Sequence, residues 1–124
     1  MMNGTMRIKK NKTYQVNLFL GSINEETKEP FFKRDLYWEI GKFQDSQEGW
    51  VPVRVTATTF VCGTHYIETG WEITVINYPR VSSGTKKIDD FIKGLAIHLL
   101  ETFKQDRITT TSPNKTIMYE RNES

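Results

Sequence analysis

The chain has 124 residues, of which 37% are hydrophobic and 26% are charged, and this composition suits one compact domain with a modest core. Seventeen Lys and Arg residues against fifteen Asp and Glu residues give a formal charge of +2, too small to indicate nonspecific binding of nucleic acid. One cysteine excludes an internal disulfide, and no apolar run is long enough to span a membrane. We expect a single domain over residues 1–124, with residues 1–12 and 120–124 flexible, in a reducing compartment.

The first third of the chain predicts one strand and one helix. Apolar and polar residues alternate from Thr13 to Leu20, which is the period of a half-buried strand. After a polar loop, Pro30 can open the next element, and apolar residues then recur every three or four positions from Phe32 to Phe43. That spacing predicts a helix over those residues.

The middle of the chain predicts a meander of strands, because it is rich in β-branched and aromatic residues. Val51 to Val55 and Thr58 to Cys62 are the first two candidate strands, and Cys62 is expected to pack as a small hydrophobe. Tyr66 to Glu68 and Trp71 to Tyr78 follow, joined by a predicted hairpin turn at Thr69-Gly70.

A second helix is predicted from Ile88 to Lys104, after a loop over Val81 to Lys87. Ile97 and Leu100 lie off its main apolar stripe. A helix with apolar residues on more than one side is either deeply buried or faces a second subunit, so the pattern suggests oligomerisation. The segment from Arg107 to Tyr119 is expected to be extended and interrupted at Ser112-Pro113-Asn114. The predicted fold class is α+β, an antiparallel β-sheet decorated by two α-helices.

A candidate anion site follows the second helix. Arg107 can offer a planar cationic fork, and the hydroxyls of Thr109 and Thr110 add neutral donors. The ordinary interpretation is an arginine that compensates the negative end of the helix dipole before a Thr-rich strand. Arg54 is a second candidate, although a solvent-facing arginine on a sheet is its default interpretation. Two arginines in one concavity would clamp two phosphates of a nucleotide.

Two further residues are candidates for contacting a nucleotide. Tyr78 closes a strand before Pro79, where its ring can stack on a purine, or can simply pack against the proline. Asp89 can accept hydrogen bonds from ribose hydroxyls, but aspartates at a helix start ordinarily need only local backbone donors.

The sequence shows no recognisable catalytic or metal-binding motif. It lacks a Gly-rich phosphate loop, a nucleophile elbow and a His-Glu-x-x-His helix. His65 and His98 are far apart, and with Cys62 they make a zinc site improbable. We therefore predict a binding protein that is not an enzyme, with no catalytic residues, no metal and no cofactor.

The ordered pattern of four segments resembles a phage family, the Thoeris anti-defence proteins of the first described type. The segments are YQVNLFLGSIN at 14–24, EIGKFQ at 39–44, WVPVRV at 50–55 and FKQDRI at 103–108. The resemblance implies a sponge that binds cyclic ADP-ribose isomers, and in some members cyclic oligonucleotides at separate sites, without cleaving them. It also implies a homo-oligomer, a dimer or a hexamer, in the cytoplasm of the infected bacterial host, with no membrane and no long nucleic acid as partner.

By the same resemblance, each candidate residue has an expected role. Arg54 and Tyr78 are similar to the pair that sandwiches the adenine, and Arg107 and Thr109 to the phosphate-binding turn. Asp89 stands where the family places a polar ligand contact. Lys28 and Arg34 are the candidates for the separate site that binds cyclic oligonucleotides in some members.

Two other functions remain open from the residues. One is a single-stranded nucleic-acid or protein-interaction module built on the sheet with Trp38, Trp50 or Trp71 exposed. The other is a small nucleotide hydrolase that uses His98 and the aspartates of the second helix. The missing catalytic motifs rank the hydrolase last.

Overall fold

The computed structural model describes residues 6–49, 51–78 and 84–122. Within these ranges the strands form one five-stranded antiparallel sheet in the order β2-β3-β1-β4-β5. The predicted α+β class, an antiparallel sheet with two helices, is confirmed. The elements in chain order are β1 (Gln15–Gly21), α1 (Lys33–Asp45), β2 (Arg54–Val61), β3 (Ile67–Ile76), α2 (Gly84–Thr102), β4 (Arg107–Thr111) and β5 (Thr116–Glu120).

The topology consists of two interleaved split βαβ units, the ferredoxin-like arrangement, with β5 added to β4 as a hairpin. In this arrangement β3 lies between β1 and β2, and β1 lies between β3 and β4. Helix α2 packs against β1, β3, β4 and β5, and α1 packs beside α2. The two helices therefore cover one face of the sheet, here called the helix face, and leave an open face on the other side.

The core lies between the sheet and the helices. Along β1, Val16, Leu18 and Leu20 are buried, whereas the alternate residues Asn17 and Phe19 face the other way and are half-buried. This is the period-two alternation that the sequence predicted. The most deeply buried side chains of the core are Leu18, Leu36, Ile73, Ile88, Leu95, Leu99 and Ile108.

The predicted helices are confirmed, with shifted bounds. Helix α2 begins at Gly84 instead of Ile88, so the predicted loop is wrong at residues 84–87. Residues 81–83 of that loop lie outside the described ranges. Leu100 is buried, but Ile97 remains 45% exposed. Neither described helix is long and apolar enough to cross a bilayer.

The predicted turn at Thr69-Gly70 is wrong. Both residues lie inside β3, a single ten-residue strand, and the hairpin instead closes where the Cys62 N–H donates to the Tyr66 carbonyl at 2.9 Å. Gly63 supplies the positive φ of 87° that this turn requires. The glycine at position 70 has another purpose, because it faces Gly21 across the β1–β3 pair.

Cys62 is more exposed than the sequence indicated, and the two described tryptophans differ in their exposure. Cys62 was expected to pack in a strand, but it lies in the β2–β3 connection and is exposed. Trp38 is 67% exposed on α1, and Trp71 is half-buried against the core. Trp50, the third tryptophan of the interaction-module hypothesis, lies outside the described residues.

Candidate functional site

A cleft of about 530 Å³ lies on the open face, where the end of β1, the β2–β3 hairpin and the start of β4 meet. We call it the open-face cleft. Its volume is within the range of cavities that hold small ligands. The lining residues are Phe19, Leu20, Gly21, Glu25, Phe60, Cys62, Tyr66, Glu68, Gln105, Asp106, Arg107 and Thr109.

Aromatic rings form one wall of the open-face cleft. The Phe19 and Phe60 rings meet edge to face, with centroids 5.9 Å apart, and both side chains arise from the open face of adjacent parts of the sheet. Tyr66 adds a third ring that is 55% exposed. Exposed ring faces and edges of this kind pack favourably on a planar base.

Arg107 and Thr109 lie together in this cleft. Thr109 pairs with Phe19 in the sheet, so the side chains of residues 107 and 109, two positions apart, both project from the open face. Arg107 is exposed, and no side-chain hydrogen bond or ion pair holds it within the described ranges. The structure thus brings these two predicted residues together, with the guanidinium available to a ligand.

A buried glutamine fixes the backbone just before Arg107. Gln105 is only 4% exposed, and its Nε2 donates to the carbonyl of Ile23 at 2.8 Å. Its Oε1 accepts from the Gly21 N–H at 3.1 Å, which ties the end of β1 to the start of β4. Such a satisfied buried amide is costly to break, so the floor of the cleft is held rigidly.

The turn between α2 and β4 contains a backbone conformation that L-residues rarely adopt. Lys104 has φ of 50°, and the Gln105 N–H donates to the Leu100 carbonyl at 3.0 Å, the six-residue closure of a Schellman cap. Arg121 stabilises the turn by donating to the carbonyls of Gln105 and Lys104 at 3.2 and 3.4 Å. The turn that presents Arg107 is therefore held from both sides.

Most of the charged residues that line the open-face cleft are acidic. Three carboxylates and one guanidinium line it: Glu25, Glu68, Asp106 and Arg107. Two of the carboxylates have cationic partners outside the lining, Lys28 at 3.2 Å from Glu25 and Arg121 at 3.8 Å from Asp106. Glu68 is thus the lining carboxylate that has no cationic partner in the described ranges, and it favours a ligand with a positive centre.

Arg54 and Tyr78 do not line this cleft. Arg54 begins β2 on the open face, in the row of Thr74, Asn17 and Thr111. Strand spacing places its Cα roughly 20 Å from that of Arg107. Tyr78 follows β3 and is half-buried. Within one chain, the structure therefore does not bring the two arginines to a shared cavity, and their common ligand role stays a prediction.

Asp89 and Thr110 lie on the other side of the sheet. Both line a cleft of about 400 Å³ between α2 and the β4–β5 hairpin, together with Lys93 and Tyr119. Asp89 accepts a hydrogen bond from the Tyr14 hydroxyl at 2.6 Å. The predicted helix-start aspartate thus has a structural partner, and its role as a ligand contact stays a prediction.

The Tyr14–Asp89 hydrogen bond makes stability depend on pH at the alkaline end. The bond to Asp89, and then burial, raise the pKa of Tyr14 above its ordinary value of 10.0. A raised folded-state pKa contributes stability that is complete below about pH 10 and is lost as the pH rises through the folded-state value. Tyr14→Phe is expected to lower the free energy of unfolding at pH 7 by about 1 kcal/mol.

Above about pH 10 the difference between wild type and Tyr14→Phe should shrink, as measured by urea unfolding from pH 7 to pH 11. Tyr37→Phe is the matched control and should leave stability unchanged at both ends of this range, because Tyr37 is 49% exposed on α1 and its hydroxyl makes no hydrogen bond within the described residues. A constant gap between wild type and Tyr14→Phe over this pH range would contradict the prediction.

The two residues predicted for a second site lie apart. Lys28 sits in the β1–α1 loop at φ of 63° and reaches the rim of the open-face cleft only through its ion pair with Glu25. Arg34 is exposed on α1. Nothing in the described ranges joins them in one cavity, and their roles also remain predictions.

Three important lining residues were missed by the sequence analysis: Phe60, Tyr66 and Glu68. Phe60 pairs with Glu68 across the β2–β3 hairpin. A hairpin placed at residues 62–66 would have shown them as neighbours, but the predicted turn at 69–70 separated them. The available signal was Gly63, between two strand-like runs.

His98, the histidine of the hydrolase hypothesis, has structural partners. Its Nε2 lies 3.1 Å from the Glu39 Oε1, and its ring stacks on the Phe43 ring. No group of three His, Cys, Asp or Glu side chains suited to a metal ion occurs in the described part of the chain.

Comparison with known proteins shows a fold relationship. No protein-family profile and no curated protein matches the sequence. Two solved structures are similar, each with a TM-score of 0.66: a phage SAM lyase in complex with S-methyl-5'-thioadenosine, at 11% identity over 95% of this chain and 97% of that chain, and a phage SAM lyase in the apo state, at 12% identity over 98% and 99%.

This comparison corrects one prediction and supports others in part. The prediction that the chain is not an enzyme is wrong on this finding, because both structures that share its fold are lyases. Both proteins are from phage, in agreement with the phage origin of the family resemblance. One of them holds a nucleoside-type small molecule, whereas neither is described with a cyclic nucleotide.

Proposed function

We propose that this chain is a phage anti-defence enzyme that binds an adenosine-containing sulfonium compound of the S-adenosylmethionine type in the open-face cleft and cleaves it. The single observation that carries the proposal is the make-up of that cleft, which combines aromatic rings, one carboxylate without a cationic partner (Glu68) and one unpaired guanidinium (Arg107). The full-length fold likeness to two phage SAM lyases supports the same substrate class.

Each part of such a ligand has a matching part of the cleft. Phe19, Phe60 and Tyr66 offer ring faces and edges for the adenine. Glu68 offers a carboxylate to the sulfonium, because no cationic side chain neutralises it in the described ranges. Arg107 offers a bidentate fork to the ligand's carboxylate.

The chemistry needs no metal and no protein nucleophile. A sulfonium already carries a good leaving group, since a neutral thioether departs with the electron pair of the broken C–S bond. Release of S-methyl-5'-thioadenosine breaks the bond between sulfur and the amino-acid arm. The carboxylate of that arm can form the new C–O bond, so that atoms and charge balance without water. Positioning and partial desolvation are the contributions asked of the cleft.

A second candidate is the binding of a cyclic ADP-ribose isomer, as the family resemblance implies. The observation in its favour is that Arg107 and Thr109 lie side by side with free donors, while Arg54 lies on the same open face. The unpaired carboxylate of Glu68 opposes it, because this ligand carries two phosphate charges. In either case the site of action would be the cytoplasm of an infected bacterial host.

The test is to incubate the purified protein with S-adenosylmethionine, and separately with cyclic ADP-ribose isomers, and to analyse both by mass spectrometry after denaturation. Appearance of S-methyl-5'-thioadenosine supports the lead proposal, and intact recovery of a bound cyclic isomer supports the second candidate. A ligand at 100 times its dissociation constant should raise the melting temperature by about 10 °C. No product and no shift with either compound would refute both.

Glu68→Gln separates the two candidates by the sign of its effect. Loss of one carboxylate should weaken binding of a sulfonium ligand and strengthen binding of a diphosphate, by about 10-fold in each direction. Glu101→Gln is the matched control, because Glu101 carries the same charge at an exposed position of α2, on the helix face, and does not line the cleft. Isothermal titration of each variant with each ligand gives the two signs.

A further inference from the structure

Strand β2 forms one edge of the sheet, and its outer backbone groups have no partner strand in the described ranges. The Cys62 N–H donates to the Tyr66 carbonyl, so residues an even number of positions from Cys62 turn their backbone groups towards β3. The intervening residues turn theirs outward. The residues with outward N–H and C=O groups are Val55, Ala57, Thr59 and Val61.

This edge lacks the features that ordinarily prevent pairing with another chain. The eight residues of β2, RVTATTFV, contain no proline and no charge apart from Arg54 at the start. The opposite edge, β5, has five residues and ends in Glu120, with Lys115 just before it. Short length and charge protect an edge strand, so β2 is the edge built for pairing.

We propose that β2 pairs antiparallel with β2 of a second copy of this chain, about a two-fold axis at Thr58. In this register each outward residue faces an outward residue: Val55 faces Val61 of the other copy, and Ala57 faces Thr59. The pairing forms about eight backbone hydrogen bonds and extends the sheet to ten strands. Arg54 lies opposite Cys62 of the other copy, so no like charges face each other.

Complementary shapes on the helix face favour a second copy of this chain as the partner of β2, and they favour this register. A hollow of about 330 Å³ lies between α1 and β2, lined by Tyr37, Ile40, Gln44, Val53 and Val55. At the other end of β2, Val61 is 69% exposed and its cross-strand neighbour Ile67 is 64% exposed. Pairing about Thr58 brings the exposed valine of each copy to the hollow of the other. Both apolar features are then covered at once.

The same register also affects the open-face cleft. This second step rests on the function proposed above, whereas the pairing of the two copies does not. Arg54 of each copy comes beside Cys62 of the other, and Cys62 lines the cleft. The pairing therefore places a guanidinium at the cleft rim that the single chain holds far away. Arg54→Ala should weaken ligand binding only if the copies are paired.

Engineered disulfides test the pairing without any ligand. In a Cys62→Ser background, which removes the only native thiol, Thr58→Cys places two thiols opposite each other across the axis. Such a pair has a Cα separation of about 4.5 Å, within reach of a disulfide. In the matched control Thr56→Cys, the two thiols are roughly 13 Å apart along the strands. Mild oxidation should give a covalent dimer, seen by non-reducing electrophoresis, with Thr58→Cys alone.

A proline at each edge gives the second test. Thr59→Pro removes an outward donor of β2 without breaking a bond to β3, and should convert the dimer to a folded monomer, as measured by light scattering and circular dichroism. Met118→Pro is the control, because the Arg121 N–H bond to Asp106 sets the N–H of residue 118 outward on β5. A monomeric wild type at about 100 μM, or equal crosslinking of both cysteine variants, would overturn the proposal.

Discussion

Replacing Arg107 by alanine is expected to weaken ligand binding in the open-face cleft by about 10- to 100-fold. Charge-assisted hydrogen bonds to a ligand carboxylate or phosphate contribute about 1.5–3 kcal/mol, and 1.4 kcal/mol corresponds to a factor of ten. Arg107 is exposed and has no side-chain partner in the described ranges, so its removal should leave the fold intact. Isothermal titration and the unfolding midpoint give the two readouts.

Two further variants make this result specific. Arg107→Lys keeps the charge but loses the planar fork, so it should recover only part of the affinity if recognition is bidentate. Arg54→Ala removes the same charge from the same face, roughly 20 Å away. If Arg107→Ala binds as tightly as wild type, the cleft assignment is wrong. If Arg107→Ala and Arg54→Ala weaken binding equally, the ligand reaches both arginines, as pairing through β2 would allow.

The helices and the strand alternation were predictable because local periodicity dictates them. Ile88, Phe91, Ile92 and Leu95 follow the 3.6-residue period, and all four are buried in α2. In β1, alternate residues face the core in the same way. The helix start at Gly84 was missed because residues 84–87 contribute no buried side chain, and so no periodic signal extends into that turn.

The candidate site was only partly predictable, because it depends on strand pairing that is set far along the chain. Arg107 and Thr109 were found together since a strand places residues two apart on one face. Glu68 was missed because the glycine at position 70 was interpreted as a turn. Sequence cannot distinguish a glycine that bends the backbone from one that lets two strands approach, and that choice decided which residues faced the cleft.

Gly70→Ala is expected to lower the free energy of unfolding by about 3 kcal/mol. A Cβ at residue 70 would collide with the carbonyl oxygen of Leu20 and would lie 3.2 Å from the Gly21 Cα, so the backbone of β1 must move. The flexible end of a side chain could move aside to make room, but the backbone of a paired strand cannot do so without a change in the sheet. Because domains of this size have total stabilities of about 5–15 kcal/mol, the variant should melt well below wild type.

Gly41→Ala provides the matched control, because the same added methyl meets no heavy atom within 4 Å there and Gly41 lies inside α1. It should raise the free energy of unfolding by about 0.5–1 kcal/mol, since alanine loses less conformational entropy in a helix. If urea unfolding shows a loss of stability for Gly70→Ala and a gain for Gly41→Ala, the loss comes from the close approach of β1 and β3 and not from the added methyl as such.

Gly70→Ala should also weaken ligand binding. Gly21 lines the open-face cleft directly across from Gly70, so a variant with a displaced β1 should bind ligand more weakly even at temperatures where it is folded. Unchanged stability and unchanged binding in Gly70→Ala would show that β1 and β3 lie farther apart in solution.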